Sequence, residues 1–128
     1  MVVDTSALIA ILSREPEAED YRRRLDEASD RLISTATLLE ASMVVLSRHG
    51  DAGLGLLRSL MTELDLQPVA FTADQAEAAV DAFRQFGKGR HPAGLNFGDC
   101  FAYALAKVMD RPLLFKGDDF ARTDVVTA

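Results

Sequence analysis

This chain reads as a single α/β domain with a small parallel sheet flanked by helices on both faces. Three observations predict that class. Short strand-like runs (Met1 to Val3, Leu32-Ile33, Gln67 to Phe71, Leu113 to Phe115) alternate with longer stretches of helical period. Strands that alternate with helices pair in parallel and are covered on both sides. Three of the runs also stop abruptly at polar groups: Asp4-Thr5-Ser6, Ser34-Thr35 and Lys116-Gly117-Asp118-Asp119. In open α/β sheets ligands bind just beyond the carboxyl ends of the strands, so acidic residues there face a crevice.

The elements follow in order. The first strand breaks into Asp4-Thr5-Ser6, and Ala7 to Leu12 continues as an apolar helix. Asp4 is a good cap for it, although Thr5 or Ser6 can do that job and leave Asp4 free. Pro16 suits the first turn of the next helix, whose Ala18, Tyr21, Leu25 and Ala28 recur at helical spacing. After the Leu32-Ile33 strand a helix runs from about Ala36 to Arg48 and stops at Gly50. Asp51 is placed to cap a further helix with Leu54, Leu57, Met61 and Leu64 on one face. Following the strand to Phe71, Thr72 and Gln75 suggest a capping box for a helix with Ala76, Ala79, Val80 and Phe83 inward. Gly87 to Gly94 reads as a flexible segment. A helix is expected from Phe97 to Met109, then the Leu113 to Phe115 strand, with Val125-Val126 as a last short one.

The chain has 128 residues, enough for one domain that buries about two-thirds of its unfolded surface. No apolar run approaches the ~20 residues that span a bilayer, so no membrane partner is expected. No basic segment precedes the first apolar run, which argues against a signal peptide. Cys100 is the only cysteine, which rules out an intrachain disulfide and fits a reducing cytoplasm. One Cys and two His are too few for a structural zinc site built from those residues alone. The net charge is −6, whereas proteins that hold nucleic acid by phosphate neutralisation are usually basic. A nucleic-acid ligand would therefore need locally clustered cations, a metal ion or a partner.

Three carboxylates stand in apolar surroundings. Glu40 has Ala36, Thr37, Met43 and Val44 as helical neighbours, with no Lys or Arg at that spacing. A buried carboxylate is costly unless it is paired or binds a metal. Asp99 has Leu95, Asn96, Ala102 and Tyr103 around it. With Asn96 as cap it falls at the third helical position, where a carboxylate also serves the helix directly. Asp4 completes the trio, and Asp118-Asp119 supplies a fourth acidic group that is otherwise ordinary turn chemistry. If they converge, two of them ~4 Å apart repel by about 4 kcal/mol at an effective dielectric of 20, so the cluster must take up protons or a cation. All-oxygen sites suit Mg²⁺ or Mn²⁺, with one ion or two. Such an ion activates water for attack on a phosphodiester and neutralises the leaving oxygen.

Asp4-Thr5-Ser6-Ala7, Glu40 after Ser34-Thr35, Leu95-Asn96-Phe97-Gly98-Asp99-Cys100 and Leu113 to Phe120 together resemble the PIN-domain ribonucleases. More narrowly, the order and spacing resemble the VapC toxins of bacterial toxin–antitoxin pairs, over essentially the whole length. The resemblance implies one PIN domain over residues 1–128 and a Mg²⁺- or Mn²⁺-dependent endoribonuclease. It implies Asp4, Glu40 and Asp99 as acidic metal-site residues, with Asp119 or Asp118 as the fourth; Asp119 is preferred because it directly precedes Phe120. Thr5 or Ser6 would support the site through a hydroxyl. It further implies a homodimer and a small antitoxin that blocks the site and carries the complex to operator DNA.

Lys88, Arg90 and His91 lie in the Gly-rich segment before the Asp99 helix and are candidates for holding an RNA backbone. Arg22, Arg23 and Arg24 read as a solvated helix face. Trp is absent and aromatics are 7%, which disfavours recognition by stacking unpaired bases. A folded substrate, tRNA or ribosomal RNA, is expected. Cys100 reads as core packing. Two rivals remain at this stage: a receiver-type phospho-acceptor domain, for which Lys116 imitates the late-strand lysine, and a non-catalytic module on the same scaffold. The receiver reading lacks paired acids beside Asp4 and an acceptor Asp after the third strand.

Overall fold

The computed structural model describes all residues, Met1–Ala128. The elements in order are β1 (Val2–Val3), α1 (Thr5–Leu12), α2 (Ala18–Glu27), β2 (Leu32–Ser34), α3 (Thr35–Glu63), β3 (Gln67–Val69), α4 (Ala73–Phe86), α5 (Phe97–Met109), β4 (Leu113–Leu114) and a 3₁₀ turn at Phe120–Arg122. All strands pair in parallel in the order β3-β2-β1-β4. The chain winds outward from β1 through β2 to β3, then returns to place β4 on the other side of β1. The order therefore reverses at β1, between β2 and β4. Beyond the carboxyl ends of strands flanking such a reversal, the connecting loops part and leave a crevice.

Alternation along each two- or three-residue strand sends neighbours to opposite faces. Val3, Ile33 and Leu114 pack under α1, α2 and the long α3, with Leu8, Leu25, Leu57 and Leu60. Val2, Leu32 and Leu113 pack on the other face with Ala82 of α4 and Cys100, Tyr103 and Leu105 of α5. Helices thus cover both faces, as expected from the sequence pattern. Each fully buried Leu contributes about 1.5–3 kcal/mol relative to exposure.

The helix break expected at Gly50 is present, but no loop separates the two halves. Gly50 adopts φ 63° and ψ −153°, a kink inside an otherwise continuous 29-residue helix. The strands are shorter than the apolar runs that announce them. Phe115 follows β4 unpaired, and Ala70-Phe71 leave the sheet after β3, where the Phe71 N–H donates to the Thr35 hydroxyl at 3.1 Å. The expected last strand at Val125-Val126 reduces to one parallel bridge, between Leu113 and Thr127.

Two expectations on α4 need correction. The Thr72 hydroxyl caps the helix by accepting from the Gln75 N–H at 3.3 Å. The reciprocal half of the box is not made, because the Gln75 amide donates to the Ala70 carbonyl at 2.9 Å instead. Val80 and Phe83 do not face inward: they are 53% and 40% exposed, and α4 buries Gln75 and Ala82. The segment from Gly87 to Gly94, expected to be flexible, is a hydrogen-bonded turn. Lys88 N–H donates to Leu95 C=O and Leu95 N–H to Phe86 C=O, both at 2.9 Å, while Arg90 and His91 N–H both reach Gly87 C=O.

Candidate active site

Asp4 leaves β1 with its own N–H bonded to the Leu114 carbonyl of β4 at 3.0 Å, so the carboxylate is set between the two strand ends. It caps α1 itself, so of the two readings the sequence left open, the cap is Asp4 and not a following hydroxyl. Asp4 Oδ2 accepts from the Ser6 N–H at 2.9 Å and from the Ser6 hydroxyl at 2.6 Å. The Ser6 hydroxyl in turn accepts from the Lys116 N–H at 3.0 Å, tying the end of β4 to the same carboxylate. Asp4 is only 3% exposed. Its second oxygen, Oδ1, is buried and has no hydrogen-bond partner. Burial, then the charge of Glu40, push its pKa above the usual carboxylate range against the pull of the Ser6 bonds.

Glu40 arrives from the second turn of α3. Its Oε1 accepts from the Thr5 hydroxyl at 2.5 Å, the distant partner that its apolar helix face left open. Asp99 comes from the first turn of α5, where it forms the expected capping box with Asn96. The Asp99 N–H donates to Asn96 Oδ1 and the Asn96 N–H to Asp99 Oδ2, both at 2.9 Å. This bond lowers the Asp99 pKa, yet burial outweighs it, and the charges of Asp4, Asp119 and Glu40 add to the rise, to about 6. The charges of Asp4, Glu40 and Asp119, from three other points of the chain, therefore reach Asp99 across one crevice. From the adjacent pair after β4, the charge of Asp119 acts on Asp99.

No three acidic, His or Cys side chains enclose a metal position by themselves. The donor set nonetheless fits a hard divalent ion: every group is an oxygen, one of them is an orphaned buried acceptor, and the carboxylates repel. Magnesium keeps several waters and needs only one or two protein carboxylates.

The basic residues divide. His91 is half-buried, and its Nδ1 accepts from the Ala93 N–H at 3.0 Å while the ring meets Phe86 edge-on. It serves the turn. Lys88 and Arg90 are exposed, with Arg90 over the Phe83 ring. Arg122 joins them: it lies three residues past Asp119 and donates to the Pro92 carbonyl at 3.3 Å, holding the basic turn against the acidic one. Sequence reasoning missed Arg122, because only the tertiary contact shows which loop it meets. Arg22, Arg23 and Arg24 are engaged by Glu63, Asp20 and Glu27, as a solvated face would be. Lys116 pairs with Glu15 and Glu17. Cys100 is buried, and burial raises its thiol to about 11, consistent with packing.

Beside the acids lies an apolar groove of about 710 Å³, lined by Phe71, Val80, Phe83, Phe97 and Phe101 among others. A second depression of about 520 Å³, lined by Leu39, Met43 and Glu40, shares Ala36, Phe97 and Phe101 with it. Phe97, 79% exposed, stands between the two.

The family model described as "PIN domain" matches residues 1–126. Ribonuclease VapC30 of Mycobacterium tuberculosis is 50% identical over 127 residues, covering 99% of this chain and 97% of that protein. Ribonuclease VapC of Mycolicibacterium smegmatis is 52% identical over 125 residues, covering 98% and 97%. Among solved structures, Mycobacterium tuberculosis VapC20, described as a sarcin-ricin loop cleaving toxin, superposes with a TM-score of 0.78 at 17% identity, covering 99% of this chain and 97% of that one. VapBC2 from Rickettsia felis, bound to a DNA fragment from its promoter, gives a TM-score of 0.77 at 14% identity, covering 98% and 94%. These two share the fold, which a receiver domain does not explain. The chain belongs to the PIN domain family, in its VapC branch.

Proposed function

We propose that this protein is a Mg²⁺- or Mn²⁺-dependent endoribonuclease, the toxin of a toxin–antitoxin pair. The observation that carries the metal dependence is Asp4 Oδ1, a buried carboxylate oxygen without a partner, in a cluster whose charges raise the proton affinity of Asp4 and Asp99. Buried polar atoms are nearly always satisfied, so an orphan of this kind asks for a ligand. The ribonuclease activity rests on curated relatives of half-identical sequence that are named as ribonucleases.

The residues divide the work. Ser6 holds Asp4 Oδ2 with two donors and leaves Oδ1 to the crevice. Thr5 holds Glu40, and Asn96 holds Asp99. Asp119 closes the acidic side. A bound divalent ion would supply an activated water and neutralise charge between the carboxylates and the scissile phosphate. Lys88, Arg90 and Arg122 would hold neighbouring phosphates of the backbone. With few aromatics for stacking, a folded RNA such as tRNA or ribosomal RNA is the substrate class we favour.

The partner is an antitoxin. The groove around Phe97 adjoins the acids, and an apolar segment laid in it would cover their entrance. We include a homodimer, contact with operator DNA only through the antitoxin, and a cytoplasmic location in the same proposal. No helix is long and apolar enough to cross a membrane.

The test is induction of the wild-type chain and of Asp4→Ala in a bacterial host, with total RNA sequenced for new 5′ ends. Site-specific ends and growth arrest with the wild type alone are expected. Identical RNA from both would refute the nuclease and favour a non-catalytic module on the same scaffold.

A further inference from the structure

We infer that Gly98 is a positioning residue: its missing side chain is the seat in which the Glu40 carboxylate is held. Gly98 is the second residue of α5, between the cap Asn96 and Asp99, and it is buried. Its φ does not require glycine, and a helical position ordinarily favours alanine. The reason for glycine lies across the interface with α3. A Cβ built on Gly98 would stand 1.7 Å from Glu40 Oε2, 2.6 Å from Cδ and 3.0 Å from Oε1. All three nearest atoms are those of one carboxylate. The other side of that carboxylate is fixed by the Thr5 hydroxyl on Oε1.

Glu40 is thus clamped between a hydroxyl of α1 and the bare Cα of α5. The clamp brings it to the level of Asp99, one residue further along the same helix. Any substituent at position 98 must expel the carboxylate, and the obstruction is the free end of a flexible side chain rather than backbone. The fold should therefore survive Gly98→Ala while Glu40 loses both Thr5 and its place near Asp99. This inference rests on the reading of Glu40 as a metal-site residue, and the experiment separates the two.

The experiment is a double-mutant cycle of Gly98→Ala with Glu40→Ala. Mn²⁺ affinity is read by electron paramagnetic resonance of free Mn²⁺, and Tm by thermal unfolding without metal. Gly98→Ala in the wild-type background should weaken Mn²⁺ binding tenfold or more. In the Glu40→Ala background, where the space is empty, it should change affinity less than threefold and raise Tm, since Ala is the better helix former. Unchanged affinity in the wild-type background, or the same loss in both backgrounds, overturns the inference. If Glu40→Ala binds Mn²⁺ as the wild type does, the metal role of Glu40 fails instead. The Tm cycle then decides the clamp alone: a rise confined to the Glu40→Ala background supports it, and equal shifts in both refute it.

Discussion

At the scale of single residues, the site is defined by what its carboxylates lack. Asp99 has a capping role that would satisfy an ordinary helix, yet its pKa rises from 3.8 to about 6. The sign of the consequence follows from linkage. Between about pH 4 and 6 the folded state binds more protons at Asp99 than the unfolded chain does, so stability falls as pH rises through that window. Asp99→Asn keeps an oxygen that can accept from the Asn96 N–H and removes the charge. The variant should match the wild type below pH 4 and become more stable above pH 6. The gain should be on the order of 1 kcal/mol, after discounting for the solvent that reaches a half-buried carboxylate. Urea unfolding across pH checks this in the metal-free protein, and a constant difference across pH would refute it. The same variant should be inactive on RNA, which separates a role in the reaction from a role in capping. The capping role of Asp99 was legible in sequence, because Asn96 and Asp99 have box spacing. The contacts of Asp4 Oδ2, Glu40 and Gly98 were not, because each joins segments some 30 to 110 residues apart or depends on which oxygen a local donor selects.

At the scale of elements, the helices were easier to read than the strands, and the errors have physical causes. α5 runs over Phe97–Met109 as its cap and apolar period require. The strands pair over only one to three residues, because each is limited by the register of its neighbour rather than by its own apolar length. On α4, period alone assigned Val80 and Phe83 to the core, but a helix at the rim of a groove exposes part of its apolar stripe. α3 gives a testable case. Gly50 combines positive φ with ψ near −153°, a region open essentially to glycine, and no atom lies within 4 Å of a Cβ placed there. Gly50→Ala should therefore cost about 1–3 kcal/mol through backbone strain alone, with no steric partner to relieve it. Chemical denaturation should show that loss with the Mn²⁺ affinity unchanged. A cost below ~0.5 kcal/mol would mean that α3 can straighten through the kink, since Ala is otherwise the better helix residue.

At the scale of the whole molecule, the puzzle is a net charge of −6 on a protein proposed to bind RNA. The pairing of its cations resolves much of it. Seven of the fourteen Lys and Arg side chains, at positions 22, 23, 24, 84, 107, 111 and 116, are held by carboxylates. Lys88, Arg90 and Arg122 are among the seven that are not, and the Arg122 bond to Pro92 ties the turn that carries the first two to the one that follows Asp119. A negative molecule can thus present a local positive edge beside its acidic centre, with a divalent ion bridging the two. Replacing these three residues by Ala should weaken RNA binding at every sequence alike, because phosphate contacts position a substrate without reading it. For three phosphate contacts, the slope of log affinity against log salt should shrink by about 2–3. Filter binding in the Asp99→Asn background, at constant Mg²⁺, measures this without cleavage. An unchanged slope would place the RNA on another face, and the paired arginines of α2 would be the next to test. A slope that shrinks only when Mg²⁺ is withdrawn would instead assign the missing positive charge to the ion.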